Sequence, residues 1–415
     1  MERKKRKREE VHPSRDNITE ELPPDIVLFH ILPRLPVKSV LRFRSVSKQW
    51  QSFLTGPAFE EMHRRHVNTE KMVFLYATTT YKFSSIDCER PKEGFSGDRP
   101  LPFKVGPCQI VRILTSAHGL VCIGIANVRG RGRPRPHIDT IKYSDSKYSD
   151  LILWNPATGD HKTLSEPFAT FHQDCYSIWE SLFGLYYSSC DDDYRLLRVT
   201  RRLNVYIYSL KSDSWRKVES DLQRPRSYFW LRGRSYSWAP GVSLNDNLYF
   251  LEYSVVNSDS VLRFNTKTET LKLIATPFLV NENRNTSSTW LSFRAQRDGC
   301  VHLWVIIKNS VTLSCESELW RMDEDGNWTK LGNSCKILND PVNNYHRLHL
   351  MRNGNLLMFG EDSIYQLDMK MNTRDLCFYT TEETRMWVQG KYIETMVSPN
   401  RYIYQDSDCA VKNLV

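Results

Sequence analysis

Leu22–Phe59 reads LPPDIVLFHILPRLPVKSVLRFRSVSKQWQSFLTGPAF, and this stretch decides how the chain begins. Leu22-Pro23-Pro24-Asp25 is a helix start, because proline is tolerated in a first turn whose backbone N–H groups lack intrahelical acceptors. Ile26, Phe29 and Leu32-Pro33 follow at helical spacing, and Leu35-Pro36 stops the run. After Val37-Lys38-Ser39, the positions Val40, Phe43, Val46-Ser47 and Trp50 recur with the same period and predict a second helix. Helices this short cannot bury their apolar faces alone. They need a partner, either the rest of the chain or another protein.

The ordered words Leu22-Pro23, Ile31-Leu32, Arg34-Leu35-Pro36-Val37-Lys38-Ser39, Leu41-Arg42-Phe43, Val46-Ser47-Lys48 and Trp50 make the stretch resemble an F-box. That is the module that docks on the Skp-type adaptor of cullin–RING ubiquitin ligases. The resemblance implies adaptor contacts at Leu22, Pro23, Ile26, Ile31, Leu32, Leu35, Pro36, Leu41, Arg42, Val46 and Trp50. Some of these side chains must also hold the module together, and the sequence does not separate the two roles. Pro33 departs from the pattern, since a helix former is more usual there. It is expected to shorten the first helix by a turn.

The chain has 415 residues, 40% of them hydrophobic and 12% aromatic, enough for a small module and a large domain. No apolar run is long enough to span a bilayer as a helix, and MERKKRKREE has no signal-peptide core, so an intracellular protein with no membrane partner is expected. The ten cysteines form no CxxC pair or regular Cys/His spacing, which argues against a zinc site or a disulfide framework. Asn285-Thr286-Ser287 and Asn327-Trp328-Thr329 fit the glycosylation pattern but have no meaning without secretion. Net charge is +9, and Lys4, Lys5, Arg6, Lys7 and Arg8 concentrate it at the start. That run is either a nuclear import signal, which favours a nuclear over a cytoplasmic location, or a solvated tail.

Beyond Lys71, short β-type runs and turn residues replace helical periodicity. A loose unit recurs: strand Leu151–Trp154, turn Pro156-Ala157-Thr158-Gly159, strand His161–Leu164. Its copies are Asn204–Leu210 with Trp215–Glu219, Ser260–Phe264 with Thr270–Ile274, Glu318–Met322 with Trp328–Leu331, and Ser363–Leu367 with Asp375–Phe378. Each follows another hairpin, whose turns fall at His118-Gly119, Cys190–Asp193, Asn245–Asn247, Arg297–Gly299 and Asn353–Asn355. Four antiparallel strands recurring at this spacing are the mark of a propeller blade. A sixth blade can be assembled from both ends, with hairpin Met72–Ala77/Tyr81–Asp87 against hairpin Met386–Gln389/Tyr392–Val397. Closing the ring in this way removes exposed sheet edges. A curved β-sandwich or barrel is the competing reading.

The same region resembles the F-box-associated domain of plant F-box proteins. The words are Leu153-Trp154-Asn155-Pro156-Ala157-Thr158-Gly159, Phe183-Gly184-Leu185, Asp192-Asp193-Tyr194-Arg195-Leu196-Leu197, Val205–Leu210, Ser214-Trp215-Arg216, Glu318-Leu319-Trp320 and Trp328-Thr329-Lys330. The paired glycines of a strict kelch repeat are missing. The expected architecture is therefore α+β and multidomain: a basic disordered tail (1–17), a small all-α F-box (18–67) and an all-β propeller of six blades (68–415).

In a four-stranded meander, the first and third turns share one end of the blade. Here those turns are tight, while Val128–Asp150, Ser165–Ser177, Ser220–Pro240, Pro277–Ser288 and Gly332–Tyr345 are long and share the other end. Long loops on a rigid scaffold are where binding usually resides. The third of them interleaves Arg224, Arg226, Arg232 and Arg234 with Tyr228, Phe229, Trp230, Tyr236 and Trp238. Guanidinium forks and aromatic planes suit an acidic or phosphorylated protein target. Candidate target contacts are Arg224, Arg226, Tyr228, Trp230, Arg232, Arg234 and Trp238. Solvated surface loops are the plainer reading.

Signs of catalysis are weak. Asp191-Asp192-Asp193 lacks EF-hand spacing and reads better as a turn. His346-Arg347-Leu348-His349 has no HExxH context, and no GxSxG or Walker loop occurs. Arg131-Gly132-Arg133-Pro134 matches the core of a minor-groove hook, a weak signal for nucleic acid. Together the two resemblances imply the substrate-recognition subunit of an SCF-type ubiquitin ligase. It would bind the adaptor and, through it, cullin and RING subunits, and would deliver a target for proteasomal degradation without a cofactor or chemistry of its own. The rivals are a nuclear nucleic-acid-associated propeller acting outside a ligase, and a propeller enzyme with a carboxylate or histidine cluster in its channel.

Overall fold

The computed structural model describes residues 22–67, 69–77, 81–106, 109–127, 148–165, 181–200, 203–220, 237–238, 241–253, 260–276, 287–295, 300–309, 315–333, 347–359, 363–368, 373–379 and 387–402. Helical turns run from Pro24 to His66, and strands follow from Glu70.

The first helical stretch changes pitch twice. α1 (Pro24–Ile26) leads into a π turn at Val27–Ile31 and a tighter 3₁₀ turn at Leu32–Arg34. Pro33 is the cause. An α-helix would need its N–H to bond the Phe29 carbonyl, and proline has none. The Leu32 N–H reaches five residues back to the Val27 carbonyl instead, and the Arg34 guanidinium donates to the His30 carbonyl. Pro33 thus widens the helix rather than shortening it by a turn.

The second expected helix is two. α2 (Val37–Phe43) ends in a turn where Ser45 and Val46 N–H groups bond the Arg42 and Phe43 carbonyls, both at 3.1 Å. Ser47 is then extended and caps α3 (Lys48–Thr55), its hydroxyl accepting from the Trp50 N–H at 3.1 Å. Gly56 ends α3 and Pro57 opens α4 (Pro57–His66). Leu32, Val37, Val40, Leu54 and Phe59 form the core of these helices.

The strands build six antiparallel blades. In chain order the complete ones are β4–β7 (Gln109–Ala117, Leu120–Asn127, Tyr148–Trp154, His161–Thr163) and β8–β11 (Leu182–Ser188, Asp193–Val199, Val205–Ser209, Ser214–Val218). In the next, the inner strand is split into β12 (Ser237–Trp238) and β13 (Val242–Leu244), both paired with β14 (Asn247–Tyr253), followed by β15 (Ser260–Asn265) and β16 (Leu271–Ala275). Then come β17–β20 (Ser287–Ala295, Val301–Asn309, Cys315–Met322, Trp328–Asn333) and β21–β24 (Arg347–Leu350, Leu356–Phe359, Ser363–Asp368, Thr373–Tyr379).

The closing blade joins both ends of the chain, but not as two hairpins. β1 (Glu70–Ala77), β2 (Tyr81–Asp87) and β3 (Arg99–Pro100) supply three strands. Residues 387–393 supply the fourth as the single strand β25 (Trp387–Ile393), which pairs with β1 through a bulge at Val73/Phe74. The expected second hairpin is absent because Gly390-Lys391 continues the strand instead of turning. Gly390 lies against Ile113 of the next blade; a Cβ there would come 2.8 Å from the Ile113 Cγ2.

The core lies between blades. Along β5, Val121, Ile123 and Ile125 face the closing blade while Leu120 and Cys122 face β8–β11. Along β1, Val73 and Leu75 face one seam while Met72 and Phe74 face the other. Alternation sends apolar side chains to both faces, so these strands read as continuous hydrophobic runs. Tryptophans at the start of outer strands tie successive blades: Trp215 Nε1 donates to the Ser165 carbonyl at 3.0 Å, and Trp328 Nε1 to the Ala275 carbonyl at 2.9 Å.

Candidate functional site

The F-box-like helices leave an apolar face uncovered. Among the described residues, nine large apolar side chains are exposed, and five of them belong to this module: Leu22, Ile26, Phe29, Ile31 and Val46, at 37–61% exposure. So many exposed apolar side chains on so small a module make it the candidate interaction site. The eleven sequence candidates divide along this line. Leu22, Pro23, Ile26, Ile31, Pro36, Arg42 and Val46 are exposed; Leu35, Leu41 and Trp50 are half-buried against the core; Leu32 is buried in it. Phe29 was not a sequence candidate for contact. It sits in the π turn, exposed, with its ring 5.5 Å from Phe53 in an edge-on contact. Its place in the apolar period is legible in the sequence, but its exposure is not.

The helices rest on one rim of the propeller. This rim carries the tight turns His118-Gly119, Pro156–Gly159 and Cys190–Asp192. Ala157 of the Pro156–Gly159 turn packs directly on the helical core, and residues 394–402, which leave β25, run between module and blades and add to the fit. Met396 completes the helical core, whereas Val397 and Tyr402 join the seam between β4–β7 and β8–β11. Asn155, fully buried, donates to the Thr395 and Val397 carbonyls at 3.0 and 2.7 Å. Its own oxygen accepts from Ala157 N–H at 2.9 Å, fixing the turn. Arg401 bridges Glu60 of α4 at 2.7 Å and Asp192 of the β8–β9 turn at 3.2 Å.

Burial dominates the electrostatics of this contact. It pushes the Glu60 carboxyl above its usual value, with the Arg401 charge opposing. It pushes the His63 imidazole below its usual value, against the Leu35 carbonyl that bonds Nε2 at 3.0 Å. His118 falls to about 4, through burial first and the Arg64 charge second, with Glu61 opposing.

The acidic triplet is part of the architecture. Asp192 turns through φ 49° and accepts from the Tyr187 hydroxyl at 2.7 Å. Asp193 accepts from Lys211 N–H at 3.0 Å, and Asp191 pairs with Arg195. One Glu/Glu/His group spans the closing seam, with His349 Nε2 3.9 Å from Glu70 and 3.8 Å from Glu89. Lys391 Nζ lies 2.8 Å from Glu70 and the Arg352 N–H 2.9 Å from Glu89. The chain's own donors therefore hold these carboxylates, and the Arg352 N–H on Glu89 ties the β21–β24 blade to the closing blade. Cys88 and Cys122 are buried and unbridged in seams.

Strands that bracket the long connections end on the rim opposite the helices. Of the target candidates, Trp238 lies in β12, which pairs with Glu252 and Tyr253. Arg224, Arg226, Tyr228, Trp230, Arg232 and Arg234 lie outside the described residues, as do Arg131–Pro134 and the Lys4–Arg8 run. No helix among the described residues is long and apolar enough to cross a membrane.

Family models match the two parts: the F-box domain over residues 20–61, and the F-box associated beta propeller domain over residues 141–405. The chain belongs to the family of F-box proteins with an associated β-propeller. Its relatives include F-box proteins of Arabidopsis thaliana. One is 25% identical across 58% of this chain and 56% of its own length; another is 22% identical across 74% and 72%. F-box protein CPR1 is 22% identical across 75% of this chain and 72% of its own. The chain thus spans little more than half the length of the first of them. Among solved structures, AofleA from Arthrobotrys oligospora aligns over 80% of this chain and 91% of its own, at 9% identity and a TM-score of 0.39. That likeness carries no argument about ligands.

Proposed function

We propose that this chain is the substrate-recognition subunit of a Skp–cullin–F-box ubiquitin ligase. The uncovered face formed by Leu22, Ile26, Phe29, Ile31 and Val46 carries the reading: the module is complete enough to pack on its propeller yet keeps an apolar surface for a second protein. Pro23, Pro36 and Arg42 are exposed on the same module, while Leu32, Leu35, Leu41 and Trp50 belong to or pack against its core. The adaptor docks there and brings cullin and RING subunits with it.

The target binds at the opposite rim. Arg224, Arg226, Arg232 and Arg234, with Tyr228, Trp230 and Trp238, recognise an acidic or phosphorylated protein. The Lys4–Arg8 run directs the complex to the nucleus. The chain performs no covalent step; it raises the target's effective concentration near a ubiquitin-charged enzyme.

The test is adaptor binding by the full chain. Ile26→Asp with Phe29→Asp removes two apolar contacts, each worth about 1.5–3 kcal/mol if fully buried by the partner. Adaptor affinity should fall at least a hundredfold with the melting of the propeller unchanged. Adaptor binding that survives this double change would overturn the reading.

A further inference from the structure

β25 ends at Ile393, and only Glu394 of the segment that follows extends its pairing beside β1. Residues 394–402 nonetheless keep a fixed course. The Glu394 N–H bonds the Thr69 carbonyl at 3.1 Å, and its carboxylate meets Lys71 at 2.7 Å. The Thr395 hydroxyl donates to the His118 carbonyl at 2.9 Å, and Gly119 makes room for it: a Cβ on Gly119 would come 1.8 Å from the Thr395 Oγ1. Met396 then enters the helical core, and Arg401 reaches from Asp192 on the propeller to Glu60 on α4. The Arg401 and Glu60 side chains are each only 11% exposed. A guanidinium fork of this kind fixes direction as well as distance.

We propose that residues 394–402 form a strap that locks the F-box module to the propeller in one orientation, and that Asn155, Glu60 and Arg401 are positioning residues for ubiquitin transfer. The role in transfer rests on the substrate-receptor reading above; the lock itself does not. The chemistry of transfer belongs to other subunits, so this chain influences it only by where it holds the target. A reaction that needs a lysine amine beside a thioester is sensitive to such placement. Beyond Glu394, the strap supplies the placement through Met396 and Arg401, and the exposed apolar side chains of the module are not among the neighbours of Met396. It also gives the Trp154-Asn155-Pro156 word a physical purpose: Trp154 fills a seam, and Asn155 clamps a segment some 240 residues later in the chain.

Two variants of the full chain test this. Asn155→Ala removes the clamp. Glu60→Gln with Arg401→Met removes the ionic bridge without leaving a buried charge unpaired, and it guards against the first variant failing to fold. Solution X-ray scattering of the free chain should show one compact arrangement for the natural protein and a broadened, longer distance distribution for either variant. Adaptor affinity should stay within about twofold, because the docking face is untouched. In a reconstituted ligase, the receptor's own propeller lysines serve as acceptors. The preferred lysines should lose about fivefold or more of their ubiquitin and others should gain it. Unchanged scattering for the folded double variant overturns the strap. Changed scattering with an unchanged lysine pattern overturns the positioning role. Failure of the natural chain to bind adaptor would instead refute the substrate-receptor reading, and scattering of the free chain would still decide the lock.

Discussion

Acid should loosen this protein through His118, and the effect can be sized. The residue sits in the β4–β5 turn with φ 52°, beneath the F-box module. The rings of Tyr187 and Tyr194 lie 6.2 and 6.1 Å away. Burial, then the Arg64 charge, lowers its pKa from 6.5 to about 4. A depressed pKa means that the folded state resists protonation while the unfolded chain accepts it. The contribution is therefore intact above about pH 6.5 and is lost as pH falls towards 4. A shift of this size corresponds to at most about 3 kcal/mol, less where solvent reaches the ring. His118→Asn is the matched control, because asparagine tolerates positive φ and does not titrate. Urea melting of both proteins at pH 7.5, 6, 5 and 4 gives the comparison. The midpoint of the natural protein should fall more steeply across that window, with the gap opening below pH 6.5. His63, also depressed by burial, adds a slope common to both proteins. Parallel midpoints over the whole range would refute the assignment to His118.

Two further outcomes follow from the ring. Gly184 faces the next blade so closely that a Cβ would lie 2.7 Å from both Leu248 and Phe250; Gly184→Ala should cost about 1–3 kcal/mol by overpacking, read as a lower urea midpoint. Truncation after Thr384 removes β25, with buried Tyr392, and leaves β1 with an unpaired edge, so cooperative melting of the whole propeller should be lost; an unchanged transition would contradict closure through β25.

How much was legible follows from the range of each interaction. Local signals were reliable: Pro156–Gly159 and Asp323–Gly326 mark turns, and positive φ falls at Gly159 and Gly326 as glycine permits. Strand pairs joined by such turns, and hence the six blades, could be counted from the chain. Pitch within the first helix could not, because the loss of one N–H at Pro33 can end, kink or widen a helix, and packing chooses among them. The hairpin expected at 386–397 failed for a similar reason. Gly390 reads as a turn residue, but it serves a close approach to Ile113, which is visible only once blades are adjacent. The division of Leu32 from Ile31, neighbours with opposite exposure, likewise needed the core that Phe59 and Met396 complete.

The words that carried the family resemblance turn out to be words about seams. Trp154 fills the seam beside Phe83, 4.6 Å away edge-on, and Asn155 clamps the strap. Gly184 admits Leu248 and Phe250, and Trp215 and Trp328 each reach back to the preceding blade. Asp192 and Asp193 hold Arg401 and the Lys211 N–H. Each of these residues solves the problem of stacking a blade or of seating the F-box, a problem shared by any chain with this architecture whatever it recognises. A pattern built from such solutions specifies a scaffold. Target choice must then come from residues outside these words, and the arginine-rich link between Ser220 and Ser237 is its proposed place. Exchanging this link between two relatives should exchange their targets while leaving adaptor affinity and melting behaviour where they were.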